Sequence, residues 1–356
     1  MKKYLLVLFS GLMFTGSRLA VAQDIHFSQF PEITTLRNPG LTGLFSGDFK
    51  VGIDYRSQWA QWTDNPYTTA AISGETRVLV NREQGDYLSF GLDVSYDKAG
   101  ATNFTTTEIY PALCYNKSMM DEHNTYLSVG MTGGFFSRSV NMSQMTFTNQ
   151  YINLNFDKAN PTGENFAYNS TGNYDLGAGV SINSSFDEEG RTNYYLGAGL
   201  FHINHPTEIF AGADNLTKLP MRWDFNGGFH VSIARNWGLT LHGDYSLQDP
   251  YSEFLFGGLI SWHNTPIYFP SNFTFSFGAY VRNGDAIIPT VKLDVGNVAV
   301  GVSMDISTSN MATLVPGTGA TELTLFIKGK YLHAKNPLDN VNCPKFDQNN
   351  VNQYFR

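Results

Sequence analysis

Val298-Ala299-Val300-Gly301-Val302-Ser303-Met304-Asp305-Ile306-Ser307 is the stretch that decides the fold. Val298, Val300, Val302, Met304 and Ile306 share one face, and Ala299, Gly301, Ser303, Asp305 and Ser307 share the other. Successive side chains of a β-strand point to opposite sides of the backbone, so the run makes one apolar and one polar surface. An amphipathic helix would place its apolar residues three and four apart instead. The same period marks Phe49–Arg56, Thr68–Val80, Tyr87–Lys98, Phe104–Asn116, Asn124–Arg138, Tyr174–Asn183 and Thr192–His202. It continues in Met221–Ala234, Gly238–Gln248, Tyr251–Ser261, Phe273–Arg282, Ala286–Val295 and Thr321–Tyr331. Together these make about fourteen segments, and none of useful length carries the helical spacing.

Many of the segments run to about ten residues or more, longer than the usual strand of about 5–6 and equal to the roughly 9–11 that cross a bilayer on a tilt. Two architectures fit them. A soluble sandwich buries the apolar faces between two sheets, whereas a membrane barrel turns them to lipid and lines its lumen with the polar ones. Composition favours the barrel: charged residues make up 15% of the chain, against about 25% in soluble domains. The 42% hydrophobic and 14% aromatic content excludes a disordered chain. The polar faces are rich in Gly, Ser, Asp and Thr, small enough to fill a lumen. Tyr55, Tyr87, Tyr96, Tyr126, Tyr174, Tyr194, Trp223 and Tyr331 lie near segment ends, where interfacial girdles belong. The long connectors Trp59–Tyr67, Ser139–Asn173, Ile203–Pro220 and Thr308–Ala320 all follow odd-numbered segments. Arg235-Asn236-Trp237 and Gly296-Asn297 follow even ones, and only Trp262–Asn272 is long on that side. The expectation is an all-β, transmembrane antiparallel β-barrel of about 14 strands over residues 48–331, with both termini periplasmic.

Residues 1–22 read as a cleavable signal peptide, with Lys2 and Lys3 as basic start, Leu5 to Phe14 as apolar core and Ala20-Val21-Ala22 as cleavage site. Lys2, Lys3 and Arg18 leave with it, so the mature chain is more acidic than the net charge of −8 of the whole. An exported acidic chain has no electrostatic case for binding nucleic acid. Residues 23–47 precede the first strand and either enter the lumen as a plug or lie beneath it. Residues 332–356 lose the period and form a separate, periplasmic tail.

The sequence offers little to catalysis. Charges of both signs on the polar faces line a water channel or pair into a lattice that holds the lumen shut. His202 and His205 suggest a metal pair, but no Cys or carboxylate cluster completes a site. No G-x-S-x-G string singles out a nucleophile for an outer-membrane hydrolase. The reading is therefore non-enzymatic and without a cofactor. Cys114, on a polar face, and Cys343, in the tail, are the only two cysteines. In an oxidising compartment they either form a disulfide that tacks the tail to the barrel or stay unpaired.

Several short strings in order along the chain carry a family resemblance. Phe27-Ser28-Gln29-Phe30, Asn38-Pro39-Gly40, Tyr55-Arg56-Ser57-Gln58-Trp59 and Asp97-Lys98-Ala99-Gly100 come first. Thr146-Phe147-Thr148-Asn149-Gln150, His202-Ile203-Asn204-His205-Pro206 and Tyr280-Val281-Arg282 with Asp285-Ala286 follow. Ser303-Met304-Asp305 and Cys343-Pro344-Lys345-Phe346 complete the set. In this order the strings resemble the PorP/SprF family of type IX secretion-system outer-membrane proteins. The resemblance implies a non-enzymatic outer-membrane barrel of Bacteroidota serving type IX secretion or gliding motility. It further implies work with other type IX secretion components in exporting and anchoring a secreted partner, such as a large adhesin or its C-terminal domain. Under it Arg56, Gln58, Trp59, Asp97, Arg282, Asp285 and Asp305 are structural groups of loop edge and lumen. The long connector Ser139–Asn173, rich in Asn, Thr, Phe and Tyr, is the first candidate for a partner face. Its candidate contact residues are Phe147, Asn149, Gln150, Tyr151 and Phe156. A passive or substrate-selective channel is the alternative function.

Overall fold

The computed structural model describes residues 24–152, 155–163, 169–188, 190–208, 217–264, 273–309 and 317–331. The signal peptide and tail readings fall on residues 1–22 and 332–356, outside the described residues. Fourteen long strands are present: β1 (Phe49–Gln58), β2 (Tyr67–Asn81), β3 (Asp86–Ala99), β4 (Phe104–Ser118), β5 (Tyr126–Ser139), β6 (Ser170–Ser185) and β7 (Thr192–Phe201). They continue as β8 (Arg222–Ala234), β9 (Trp237–Gln248), β10 (Tyr251–Asn264), β11 (Phe273–Arg282), β12 (Ala286–Val295), β13 (Val298–Ser307) and β14 (Thr318–Gly329). Each pairs antiparallel with its sequence neighbours, and β1 closes the ring on β14 from Phe49↔Gly329 to Gln58↔Ala320. This is an up-and-down closed barrel, which leaves no sheet edge unpaired.

The packing is inside out. Val51, Ile53, Phe90, Leu92, Val300 and Val302 are exposed, while Asp54, Asp93 and Glu322 are each 1% exposed. A soluble protein does the reverse, and an apolar belt around the whole wall has no stable solvent other than lipid. β-branched and aromatic residues on the outer face suit a pleated wall. Strand lengths of 10 to 16 residues match a tilted crossing of the hydrocarbon layer. Two expected girdle residues are a correction. Tyr87 and Tyr126 are buried, 0% and 3% exposed, and pack on each other across 5.4 Å inside the barrel. Parity explains it, since Tyr87 shares the face of Ser89 and Asp93, and Tyr126 that of Ser128 and Thr132.

The strand ends that flank the connectors of residues 59–66, 140–169, 202–221 and 308–317 stand at one mouth, called the long-loop mouth. The two longest carry short β-pairs of their own, Tyr151–Ile152 with Asn155–Phe156 and Thr207–Glu208 with Thr217–Lys218. Asn264 and Phe273, which flank residues 265–272, stand at the opposite mouth.

The lumen is occupied by the chain that precedes β1. Asp24 contacts Arg138, His202 and Arg222 at the long-loop mouth. From there the segment runs down to Asp48, whose N–H donates to the Gly329 carbonyl at 2.6 Å at the other mouth. The described chain therefore starts at one mouth and ends, at Tyr331, at the other. Phe30 packs with Leu255, Leu259, Tyr280 and Ile288, and Phe27 and Ile33 pack with Ala71, Ala299 and Phe326. Among the described residues, two of the cavities beside the segment measure about 80 Å³ each, room for a few waters.

Candidate functional site

Three contact zones hold the lumen segment, and their side chains come from strands far apart in sequence. In the first, the N–H groups of Ser28 and Gln29 donate to Glu322 Oε2 and Oε1 at 2.7 and 2.6 Å. Ser28 Oγ donates to Asp305 Oδ1 at 2.7 Å and accepts from Arg56 and from Arg282 NH2. Arg56 reaches Asp305 at 2.8 Å and Glu322 at 3.3 Å. Arg282 reaches Asp305 at 2.8 Å, Asp285 at 3.0 Å and Glu253 at 3.3 Å. Two guanidinium groups thus face two buried carboxylates, and a short backbone turn fills the centre. Alternate sites on β1, β11, β13 and β14 aim these charges inward, and the fork of each Arg suits two acceptors at once.

The second zone lies halfway down. Asn38 caps the single turn of 3-10 helix Pro39–Leu41, its Oδ1 accepting the Gly40 N–H at 2.8 Å. Its amide nitrogen donates to the Val180 carbonyl at 3.0 Å and to Asn226 Oδ1 at 3.2 Å. The turn sits against bare backbone. A Cβ at Gly130 would overlap the Pro39 carbonyl, and one at Gly179 would stand 2.9 Å from the Gly40 nitrogen. Arg37 pairs with Asp244 at 2.9 Å beside it. Lower down, Glu32 meets Lys292 at 2.6 Å.

The third zone is the carboxylate of Asp24. Its Oδ2 lies 2.8 Å from Arg222 NH1 and 2.7 Å from His202 Nε2, and its Oδ1 lies 3.6 Å from Arg138 NH2. His202 sits just past β7 with φ at 58°, a left-handed conformation that a β-branched residue would resist, and its side chain is buried. Its Nδ1 lies 2.9 Å from Asp175, which also accepts the Tyr110 hydroxyl at 2.8 Å. Burial alone would lower the His202 pKa, but Asp24 and Asp175 lift it to about 9. Burial would raise Asp24, yet His202, Arg222 and Arg138 hold it far below the carboxylate range.

A pH dependence follows. A histidine raised from 6.5 to about 9 on folding contributes fully below about 6.5 and loses that contribution as pH climbs through 9. A lowered Asp24 contributes fully above about 4. The Asp24–His202 contact is therefore strongest between about pH 4 and 6.5, and thermal unfolding in detergent should show stability falling toward pH 9 by up to about 3 kcal/mol. Asp175, Arg138, Arg222, Tyr110 and Glu108 surround the pair, so the reference is His202→Gln, whose stability should change less over the same range. Parallel profiles for parent and variant would refute the assignment.

These three zones bind a segment, and among the described residues no group of three or more His, Cys, Asp or Glu side chains is assembled for a metal ion. His202 and His205 do not face each other, since His205 Nδ1 lies 3.3 Å from the Leu219 carbonyl instead. The family model described as "Type IX secretion system membrane protein PorP/SprF" matches residues 20–326. The chain belongs to the PorP/SprF family. Among curated proteins none is significantly similar. Among solved structures, the CymD monoaromatic hydrocarbon channel is similar with a TM-score of 0.46 at 8% identity, over 87% of this chain and 93% of that one. A TodX monoaromatic hydrocarbon channel mutant lacking S2 is similar with a TM-score of 0.47 at 9% identity, over 83% and 92%. The P. putida toluene transporter TodX gives a TM-score of 0.42 at 9% identity, over 82% and 90%. This member of the PorP/SprF family is an outer-membrane β-barrel of the type IX secretion system.

In this PorP/SprF barrel the strings that carried the resemblance meet in space. Arg56, Arg282 and Asp305, from three separate strings, converge on Ser28, from a fourth, and Asp285 pairs with Arg282 behind them. Asn38-Pro39-Gly40 is the seated turn of the second zone, and His202 anchors the third. Gln58 ends β1 at the long-loop mouth, and Trp59 follows it, with its N–H on the Gly319 carbonyl and its ring 4.9 Å from Tyr67. Asp97 stands apart from the first zone and accepts the Thr69 hydroxyl at 2.6 Å. In the longest loop Tyr151 and Phe156 are exposed, Asn149 donates to the Thr162 carbonyl, and Phe147 is half-buried. Gln150 is buried and shapes the loop from within, accepting the Phe147 N–H at 3.1 Å and donating to the Asn160 carbonyl at 3.3 Å. Cys114 is a buried free thiol 3.7 Å from the Gly40 carbonyl, and Cys343 lies outside the described residues. Asp24 and Glu322 carry two of the three zones without any local motif to announce them.

Proposed function

We propose that this barrel is a non-enzymatic docking and anchoring element. It holds a secreted partner, such as a large adhesin or its C-terminal domain, at the long-loop mouth while other type IX components carry out export. On this reading the long-loop mouth faces outward, and β1 begins and β14 ends on the periplasmic side, as the asymmetry of loop lengths supports. The observation that carries the reading is the filled lumen. Residues 24–48 are bonded to the wall from one mouth to the other, which leaves a conducting channel little room and turns the loops into the surface available to a partner. Exposed Tyr151, Ile152 and Phe156 on a paired loop supply rigid apolar contact area of the kind recognition surfaces use.

The test replaces residues 147–156 by a glycine–serine linker of equal length in the native host. The barrel should still show heat-modifiable mobility on gels, because those residues lie outside the wall. The secreted polypeptide that co-purifies with the parent barrel should be reduced at least tenfold. Undiminished co-purification would overturn the loop assignment.

A further inference from the structure

Asp24 is held as a ligand would be held. Its carboxylate is met by Arg222 at 2.8 Å, His202 at 2.7 Å, Gln248 at 3.4 Å and Arg138 at 3.6 Å. All four belong to the wall or to loop roots. Arg138 stands one residue before the end of β5, at the root of connector 140–169, and His202 and Arg222 bracket connector 202–221. The two longest loops are thus joined at their bases through one carboxylate. What these donors complement is a carboxylate at that point, with two guanidinium groups for charge and direction. The donors are themselves pre-set: Arg222 is fixed by Asp224 at 2.9 Å and the Leu36 carbonyl at 2.7 Å, and His202 by Asp175 at 2.9 Å.

The segment that supplies Asp24 is unevenly held. Phe27 and Phe30 are buried in apolar clusters, and Ser28 and Gln29 are locked on Glu322. Asp24, Ile25 and His26 are only partly buried. Ile25 packs against the cluster of Phe27 and Ile33, so an exchange at Asp24 has to lift residues 24–26 from that contact while Phe27 onward stays seated.

We propose that Arg138, His202, Arg222 and Gln248 form a carboxylate-binding site occupied in cis by Asp24, and that a carboxylate of the docked polypeptide takes it by displacing residues 24–26. Only the source of the competing carboxylate rests on the docking reading above; the site itself does not. Engagement at the mouth is then reported to the roots of both long loops through one exchange of ligands.

Two measurements on the purified full-length barrel test this. In Asp24→Ala, whose Tm should drop by several degrees, sodium acetate should raise the Tm saturably beyond sodium chloride of equal ionic strength. The parent, with its site filled, should not respond, and neither should Asp24→Ala combined with Arg222→Met. Equal effects of acetate and chloride on Asp24→Ala would overturn the site. For displacement, Ile25→Cys in a Cys343→Ser background is labelled with a charged maleimide. Asp24→Asn should speed labelling at least tenfold, and a hexaglutamate peptide should speed it in the Asp24 form where hexalysine does not. A rescue by acetate with labelling indifferent to hexaglutamate would overturn the displacement. Co-purification after loop replacement reports on the docking reading by itself, so the two failures are told apart.

Discussion

Replacing Arg56 by methionine is expected to destabilise the barrel by about 3–5 kcal/mol, the usual result of removing one partner from a buried ion-pair cluster. Arg56 is 2% exposed and sits between Asp305 and Glu322. Without it, Arg282 alone faces both Asp305 and the more distant Glu253 and Asp285, and Glu322 keeps only the two backbone N–H donors of the lumen segment. The charge left behind is desolvated on all sides, which is where most of the loss arises. Arg56→Lys keeps the charge but gives up the fork that spans two carboxylates and Ser28, so about 1–2 kcal/mol is expected. Guanidinium unfolding in detergent micelles measures both. A loss below about 1 kcal/mol for the methionine variant would mean that water reaches the cluster and screens it like a surface pair.

The wall was legible because period two is a local property. Val298–Ser307, Ala286–Val295 and Phe273–Arg282 end where the alternation ends, and the structure keeps those bounds. Where alternation fades the bounds drift. β6 starts at Ser170 rather than Tyr174, because Ser170 to Asn173 pair by backbone with Phe136 to Ser139 and carry no apolar signal. β14 starts at Thr318 rather than Thr321, through an irregular pairing beside Asp305, and ends at Gly329, opposite the first residue of β1. Tyr87 and Tyr126 stand at strand ends, where girdle aromatics belong, but the parity of their own strands turns them inward.

The site was legible only in pieces. Arg56, Arg282, Asp285 and Asp305 stand in strings that resemble a family, but nothing in those strings says that they meet. Ser28 and Glu322 are 294 positions apart, and no periodicity links a residue before the first strand to one on the last. Asp24 is a single acid in an unpatterned segment. Its partner His202 was visible beside His205, where spacing suggested a metal pair. The two rings take different partners, His202 on Asp24 and Asp175 and His205 on the Leu219 carbonyl, and those partners are brought together only by the tertiary fold.

Deleting residues 24–45 from a barrel that still assembles is expected to change it from non-conducting to conducting. An eight-stranded barrel is filled by its own side chains, and one of 16 to 18 strands leaves an aqueous channel. With fourteen strands the wall lies between these, and here the lumen segment fills the difference. Once it is gone, Glu322, Asp305, Arg56 and Arg282 face a water column that solvates their charges. Charge predicts the selectivity. Asp54, Glu75, Asp93, Glu108, Asp175, Asp224, Asp244, Asp294, Asp305 and Glu322 outnumber the inward cations Lys50, Arg56, Arg77, Arg138, Arg222, Arg282, Lys292 and Lys328. The emptied barrel should therefore pass potassium in preference to chloride, shown by the sign of the reversal potential across a salt gradient in planar bilayers. The parent should give no steady openings at the same protein density. Equal conductance with and without the segment would show that the lumen is not closed by it, and the loops would then no longer be the principal working surface of the protein.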